Sequence, residues 1–156
     1  MEVNKQLKIA VDFDGTIVEN KYPDIGPEMI NAFEVLREMQ AQGHRLILWT
    51  FRHGEELEEA VKFCRDRGVE FYAVNHSFPN ESFDADLYSR KVDADVFIDD
   101  RSIGGFIGWQ KVRQLLNPKS GEANFKVKGH KLKVLDIEAH SNYNKKLPFY
   151  KWLFKK

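Results

Sequence analysis

Apolar residues in this chain fall into short buried-looking runs, and stretches of helical spacing separate the runs. Leu7-Lys-Ile-Ala-Val-Asp-Phe13 is an apolar run that breaks at Asp14-Gly15, so it reads as a buried strand ending in a turn. After a loop containing Pro23, Gly26 and Pro27, the residues Met29, Ile30, Phe33, Leu36 and Met39 recur at helical spacing, with Gly43 as the stop. Arg45–Thr50 reads as a second buried strand. Leu57, Ala60, Val61 and Cys64 form the inner stripe of a second helix closed by Gly68. Val69–Val74 is a third strand and Asp95–Asp99 a fourth, with residues 75–90 loop-like between them. Gly108–Leu116 is a further helix, ended by Asn117-Pro118.

Strand, helix, strand, helix, strand predicts an α/β fold: a Rossmann-like parallel sheet with helices on both faces. Such sheets bind ligands outside the carboxyl ends of their strands. The polar residues of this chain fall at that edge. Asp12 and Asp14 follow the first strand, Thr50 ends the second, Asp99 and Asp100 end the fourth, and Lys91 lies just before it.

The 156 residues suit one compact domain, and 42% apolar with 31% charged residues is ordinary for a globular chain. A single cysteine, Cys64, excludes an internal disulfide and a thiol-rich zinc site. No apolar stretch is long enough for a transmembrane helix, and Met1–Lys8 is too polar for a secretory signal, so the expectation is a cytoplasmic protein with no membrane span. The formal net charge of zero hides an asymmetry. Residues 119–156 hold ten lysines and three acids, and the first 118 residues carry the matching acidic excess. The expected division is therefore a catalytic domain over 1–118 and a short basic, aromatic-rich extension over 119–156. Within the extension, the alternation from Phe125 to Leu135 predicts a hairpin.

The string Asp12-Phe-Asp14-Gly-Thr16 carries the strongest chemical signal. Two carboxylates at a strand end followed by Gly can be aimed at different parts of one substrate, one attacking phosphorus and the other handling protons. Two carboxylates also make a hard oxygen site for Mg²⁺. An Asp-Gly turn after a strand is the plain structural alternative.

At this point the chain resembles the haloacid dehalogenase superfamily. Asp12-Phe-Asp14-Gly-Thr16 is similar to its first motif, Thr50 to its second, Lys91 to its third, and Ile98-Asp99-Asp100 to its fourth, in the family's order over most of residues 7–100. The gap from Lys91 to Asp99 is short for the family, which leaves Arg90 as the alternative third-motif residue. The resemblance implies a phosphatase with Asp12 as nucleophile and Asp14 as general acid and base. Thr50 would hold a phosphate oxygen and Lys91 would screen charge. Asp12, Asp99, Asp100 and the Asp14 backbone carbonyl would hold Mg²⁺, with Mn²⁺ an acceptable substitute. It also implies a capless member, because neither gap between motifs has room for a large cap.

Thr16, Arg52 and Asn75 are expected to contact substrate, Arg52 from the rim by gripping a second anionic group. Gly104-Gly105 is a candidate for close approach of a loop to the site, with a plain flexible turn as its alternative. The expected substrate is a phosphomonoester: a nucleotide, a sugar phosphate or a nucleic-acid end. The basic extension could bind nucleic acid, touch an anionic membrane surface, or pack on the body or on a second subunit. The last is favoured, since terminal aromatics more often pack than read bases. The competing function is a nucleic-acid- or protein-binding module that uses this extension, with the body sensing phosphate.

Overall fold

The computed structural model describes residues 6–87 and 89–117; the extension over 119–156 and its expected hairpin lie outside the described residues. The elements run β1 (Lys8–Val11), β2 (Val18–Lys21), β3 (Asp24–Glu28), α1 (Ala32–Ala41), β4 (Arg45–Leu48), α2 (Gly54–Arg65), β5 (Ala73–Val74), β6 (Val96–Ile98) and α3 (Trp109–Leu116). Four strands form one sheet in the order β5-β4-β1-β6, with every pairing parallel. Parallel neighbours need crossover connections, and α1 and α2 supply them for β1–β4 and β4–β5. After β5 the chain returns across the sheet and pairs β6 on the far side of β1. The order therefore switches direction at β1, the point where open α/β sheets leave a crevice beyond their strand ends. No helix among the described residues is long and apolar enough to cross a membrane.

The pleat divides the sheet into two unlike faces. Ile9, Val11 and Phe13 alternate onto one face with their register partners Leu46, Leu48, Val96 and Ile98. Against them pack Phe33, Leu36 and Met39 of α1, Ala60 and Cys64 of α2, and Trp109 and Val112 of α3, all in one apolar cluster. The opposite face carries Ile47 and Ala73, which pack with Val92 and with Trp49, Tyr72 and Ala94 at the edge. Helices on both faces are thus not found among the described residues: all three helices there contribute to the first cluster, and residues from the 75–95 segment cover Ile47. The reason is local. Between β5 and β6 the chain has no run of helical apolar spacing, so it crosses the second face as loop.

Three further differences have physical causes. Residues 17–27 were expected as loop but hold the antiparallel hairpin β2–β3, with Asn20 opposite Ile25 and Lys21 opposite Asp24. Three of the four β2 residues are exposed, so the ribbon writes no apolar alternation into the sequence. The third strand narrows from 69–74 to two residues. The first helix starts at Ala32 because Asn31 takes a left-handed conformation (φ 63°), which leaves Ile30 on the surface. Its end is as expected: Gly43 has φ +86° and its N–H donates to the Gln40 carbonyl.

One buried hydrogen bond joins α3 to the first turn after β1. Trp109 is 2% exposed and its Nε1–H donates to the Thr16 carbonyl at 2.8 Å. Trp109→Phe keeps most of the apolar surface but strands that carbonyl away from water, so it should cost about 1–3 kcal/mol. Equilibrium denaturant unfolding measures this, and an unchanged midpoint would show that the bond contributes nothing.

Candidate functional site

The ladders of β1 continue one residue beyond its strand ends. The Asp12 N–H donates to the Ile98 carbonyl at 2.9 Å, and the Trp49 N–H donates to the Val11 carbonyl at 2.8 Å. Asp12 therefore sits at the carboxyl edge of the central strand, in register with Asp99 on one side and Trp49 on the other. Val11 and Phe13 turn into the helix-side core, so the pleat directs Asp12 to the other face.

A carboxylate oxygen from each of Asp12, Asp99 and Asp100 lies within 4.8 Å of the others. Two features of the turn after Asp12 bring Asp100 in. Gly15 has φ +90°, and a Cβ there would fall 2.3 Å from Asp100 Oδ2, so only glycine allows the approach. The Thr16 hydroxyl donates to Asp12 Oδ2 at 3.2 Å and accepts the Asp100 N–H at 3.1 Å, tying the first turn to the last. The result is a crowded set of like charges. Burial first, and then repulsion from Asp99 and Asp100, pushes the Asp12 carboxyl up to about 7, against the pull of hydrogen bonds from Phe13 and Thr16. Asp100 Oδ1 is buried with no hydrogen-bond partner among the described residues. An all-oxygen set, a raised carboxyl and an orphaned oxygen together fit a hard divalent cation. Asp14 contributes no carboxylate to this set.

Arg52 is found in a different place from the rim expected for it. Its side chain is fully buried, donating from Nε and Nη2 to the two Asp14 carboxylate oxygens at 2.7 and 2.8 Å. Nη1 and Nη2 also donate to the carbonyls of Pro23 and Asp24, at the tip of the β2–β3 hairpin, at 2.8 Å each. The guanidinium lies over the rings of Phe13 and Tyr22, 5.0 and 5.4 Å from their centroids. A cation with four of its five N–H groups engaged internally is a clamp between Asp14 and the hairpin, and it has little left to offer a substrate. Thr16 is likewise corrected. It is fully buried, and its hydroxyl positions Asp12 and Asp100 instead of facing solvent.

The remaining expected residues divide. The Thr50 N–H donates to Asn75 Oδ1 at 2.8 Å, and its hydroxyl oxygen accepts the Arg52 N–H at 3.2 Å, leaving its own O–H directed elsewhere. Asn75 has φ 52°, an αL conformation that lets its side chain turn back on the Thr50 loop. Lys91 is not brought to the carboxylates. Its ammonium lies 5.7 Å from the centroid of Phe97, on the same face as Asp12 but one register row earlier, and it makes no ion pair with a described carboxylate. Arg90 stacks on Phe83 instead, 4.9 Å from the ring centroid. Gly104 and Gly105 have positive φ, and a Cβ at either would meet nothing within 4 Å, so they shape a turn and permit no close approach. The sequence reading missed Trp49 as a neighbour of Asp12. Its signal was the alternation Leu46, Ile47, Leu48, Trp49, which puts it on the face opposite Leu48.

Two outcomes test this geometry. Arg52→Ala leaves Asp14 and two carbonyls without their donor, and should cost about 3–5 kcal/mol in denaturant unfolding with faster amide exchange in residues 18–28; a wild-type midpoint would rule the clamp out. The second concerns pH. The Asp12 carboxyl is raised in the folded state, so the cation-free protein binds an extra proton relative to the unfolded chain between about pH 4 and 7. Its stability should therefore fall as pH rises through that window, and added Mg²⁺ should restore it, with affinity increasing up to about pH 7. In Asp12→Asn the fall with pH should shrink and the Mg²⁺ effect should weaken. Thermal unfolding in chelator and in Mg²⁺ at pH 5 and 8 reads both, and a Mg²⁺ effect of equal size in the variant would remove Asp12 from the set.

No protein-family profile and no curated protein matches the chain. Among solved structures it is similar to a conserved protein from Bacteroides thetaiotaomicron, at 50% sequence identity with a TM-score of 0.69. The match covers 74% of this chain and 93% of that one. Half the residues are identical across nearly the full length of that protein, so the chain belongs to the same family as the conserved Bacteroides thetaiotaomicron protein.

Proposed function

We propose that this protein is a magnesium-dependent phosphomonoester hydrolase of the haloacid dehalogenase type, acting through an aspartyl phosphate on Asp12. The observation that carries the reading is the position of Asp12: a partly buried carboxylate at the carboxyl end of the central strand, packed against Asp99 and Asp100. A structural carboxylate would be expected to find a cationic partner there, and the nearest charges are acids.

In this reading Asp12 Oδ attacks phosphorus and the bond to the leaving oxygen breaks. Water then cleaves the acyl phosphate and returns the free carboxylate. Asp12, Asp99, Asp100 and the Asp14 carbonyl would hold Mg²⁺, which supplies neutralisation of the carboxylate and phosphate charges. The Thr50 hydroxyl donates to a phosphate oxygen. Lys91 adds positive charge by moving its flexible ammonium from Phe97 to the substrate. Asp14 carries the proton to the leaving oxygen and later takes one from water. Its carboxylate is bound to Arg52, so this duty requires Asp14 to exchange the guanidinium for the substrate. The reading also implies an open cleft. Between β1 and β4 the chain holds the hairpin and α1, and between β4 and β6 it holds α2, β5 and the 75–95 segment.

The test compares phosphate release by wild type and Asp12→Asn over a phosphomonoester panel that includes phosphorylated oligonucleotides, in Mg²⁺ and in chelator. Release should require Mg²⁺ and fall by on the order of 10⁴-fold or more in the variant. Residual turnover near wild type would disprove nucleophilic catalysis by Asp12, and no release from any substrate would disprove the hydrolase reading.

A further inference from the structure

A cavity opens next to the carboxylate row, on the same face of the sheet. The Asn75 N–H donates to the Leu48 carbonyl at 2.7 Å, so the β4–β5 ladder also runs one residue past its strands. Together with the two seams of β1, this sets Asp99, Asp12, Trp49 and Asn75 in one row across the carboxyl edge. Trp49 and Asn75 are at the same time walls of a cavity of about 360 Å³, in the size range of small-molecule sites. Its other walls include His76, Phe83, Arg90 and Val92.

The walls are braced from behind. The indole of Trp49 packs on the cluster of Ile47, Ala73 and Val92. Glu81 accepts the Ser77 N–H at 2.5 Å, Ser77 Oγ accepts the Asp93 N–H at 3.0 Å, and Ser89 Oγ accepts the Lys91 N–H at 3.1 Å. These hydrogen bonds hold the loop, and Glu81, Ser77 and Ser89 also line the cavity. Arg90 is different. Its guanidinium lies over Phe83, it has no ion pair with a described carboxylate, and it lines the cavity, so its donors are free to engage an anion there.

We propose that this cavity binds the leaving group of the substrate, and that the leaving group is a nucleoside carrying a second anionic group. The inference rests on the hydrolase reading for the identity of the phosphate end. Trp49 offers stacking to a planar ring, and Phe83, with Arg90 on one face, adds a second aromatic wall. From Asp12 to Asn75 is two inter-strand spacings, roughly 10 Å, a reach that suits a ring joined to its phosphate through a sugar. Arg90 takes the second anionic group, the task the sequence had given to Arg52. A short aliphatic phosphate would leave the aromatic walls bare, and a nucleotide with a single phosphate group would leave Arg90 unused. The same chemistry is offered by a free nucleoside bisphosphate and by the 5′-phosphorylated end of a nucleic acid, whose next phosphodiester supplies the second charge.

Binding is measured in full-length Asp12→Asn with Mg²⁺ by quenching of tryptophan fluorescence. The probes are adenosine 3′,5′-bisphosphate, adenosine 5′-monophosphate, a 5′-phosphorylated trinucleotide and glucose 6-phosphate. At least one of the two doubly anionic probes should bind about 10-fold or more tightly than the monophosphate, and glucose 6-phosphate should bind more weakly still. Arg90→Ala should erase the preference over the monophosphate, and Trp49→Phe should remove the quenching. Preference for the bisphosphate assigns free nucleotides, and preference for the trinucleotide assigns nucleic-acid ends. Equal binding of all four probes, or a preference that survives Arg90→Ala, overturns the proposal. Phosphate release by wild type, assayed alongside, separates the two readings. Release without the binding preference keeps the hydrolase and removes the nucleotide site. The binding preference without release keeps the nucleotide site and removes the hydrolase.

Discussion

The crowding of three carboxylates at the end of β1 is the constraint around which the rest of the site is arranged. Asp12, Asp99 and Asp100 repel one another, and partial burial weakens the water that would screen them. The fold accepts this with specific devices. Gly15 clears the space that Asp100 occupies, the Thr16 hydroxyl bridges Asp12 to the Asp100 backbone, and Trp109 fixes the Thr16 carbonyl from the helix side. Each device involves a residue of little chemical reactivity and acts through a hydrogen bond or a close contact. A concentration of negative charge held by such fittings is suited to receive positive charge, whether from a cation or from a proton.

Beside that cluster lies its opposite, a guanidinium buried without exposure, with four of its five N–H groups held by protein acceptors. Arg52 links the end of β4 to Asp14 and to the tip of the β2–β3 hairpin. The hairpin has little apolar surface of its own, and two-stranded ribbons are marginal in isolation. Its position over the edge of the sheet therefore depends on the clamp and on bonds such as that from the Met29 N–H to the Ile17 carbonyl. The same clamp holds Asp14, so that carboxylate and the segment beside it are coupled through one side chain.

The two faces of the sheet have divided the work. The helix side buries Phe13, Leu36, Leu46, Leu48 and Trp109 in one continuous cluster and supplies rigidity. The other side has a thin cover, with Ile47, Ala73 and Val92 as its buried cluster, and it is the side to which Asp12, Trp49 and Asp99 turn. A loop that covers a sheet without a helix leaves room for a cavity beside the strand ends, and apart from Trp49 the walls of that cavity are drawn from the loop itself.

The amino-acid sequence by itself determined the parallel α/β class, the four sheet strands, the three helices and the gathering of Asp12, Thr50, Asp99 and Asp100 at one edge. These follow from local signals, since apolar runs, helical spacing and Asp-Gly turns are written within a few residues of where they act. The tertiary structure alone decided which face the helices share, that residues 17–27 pair as a hairpin, and what Arg52, Thr16 and Lys91 touch. Arg52 and Asp14 are 38 residues apart and Thr16 and Asp100 are 84 apart, so no local pattern records their pairing. A guanidinium next to a strand end reads as a rim residue until the hairpin folds over it. Its burial is then decided by distant acceptors, because a charge leaves water only where partners replace the water it loses.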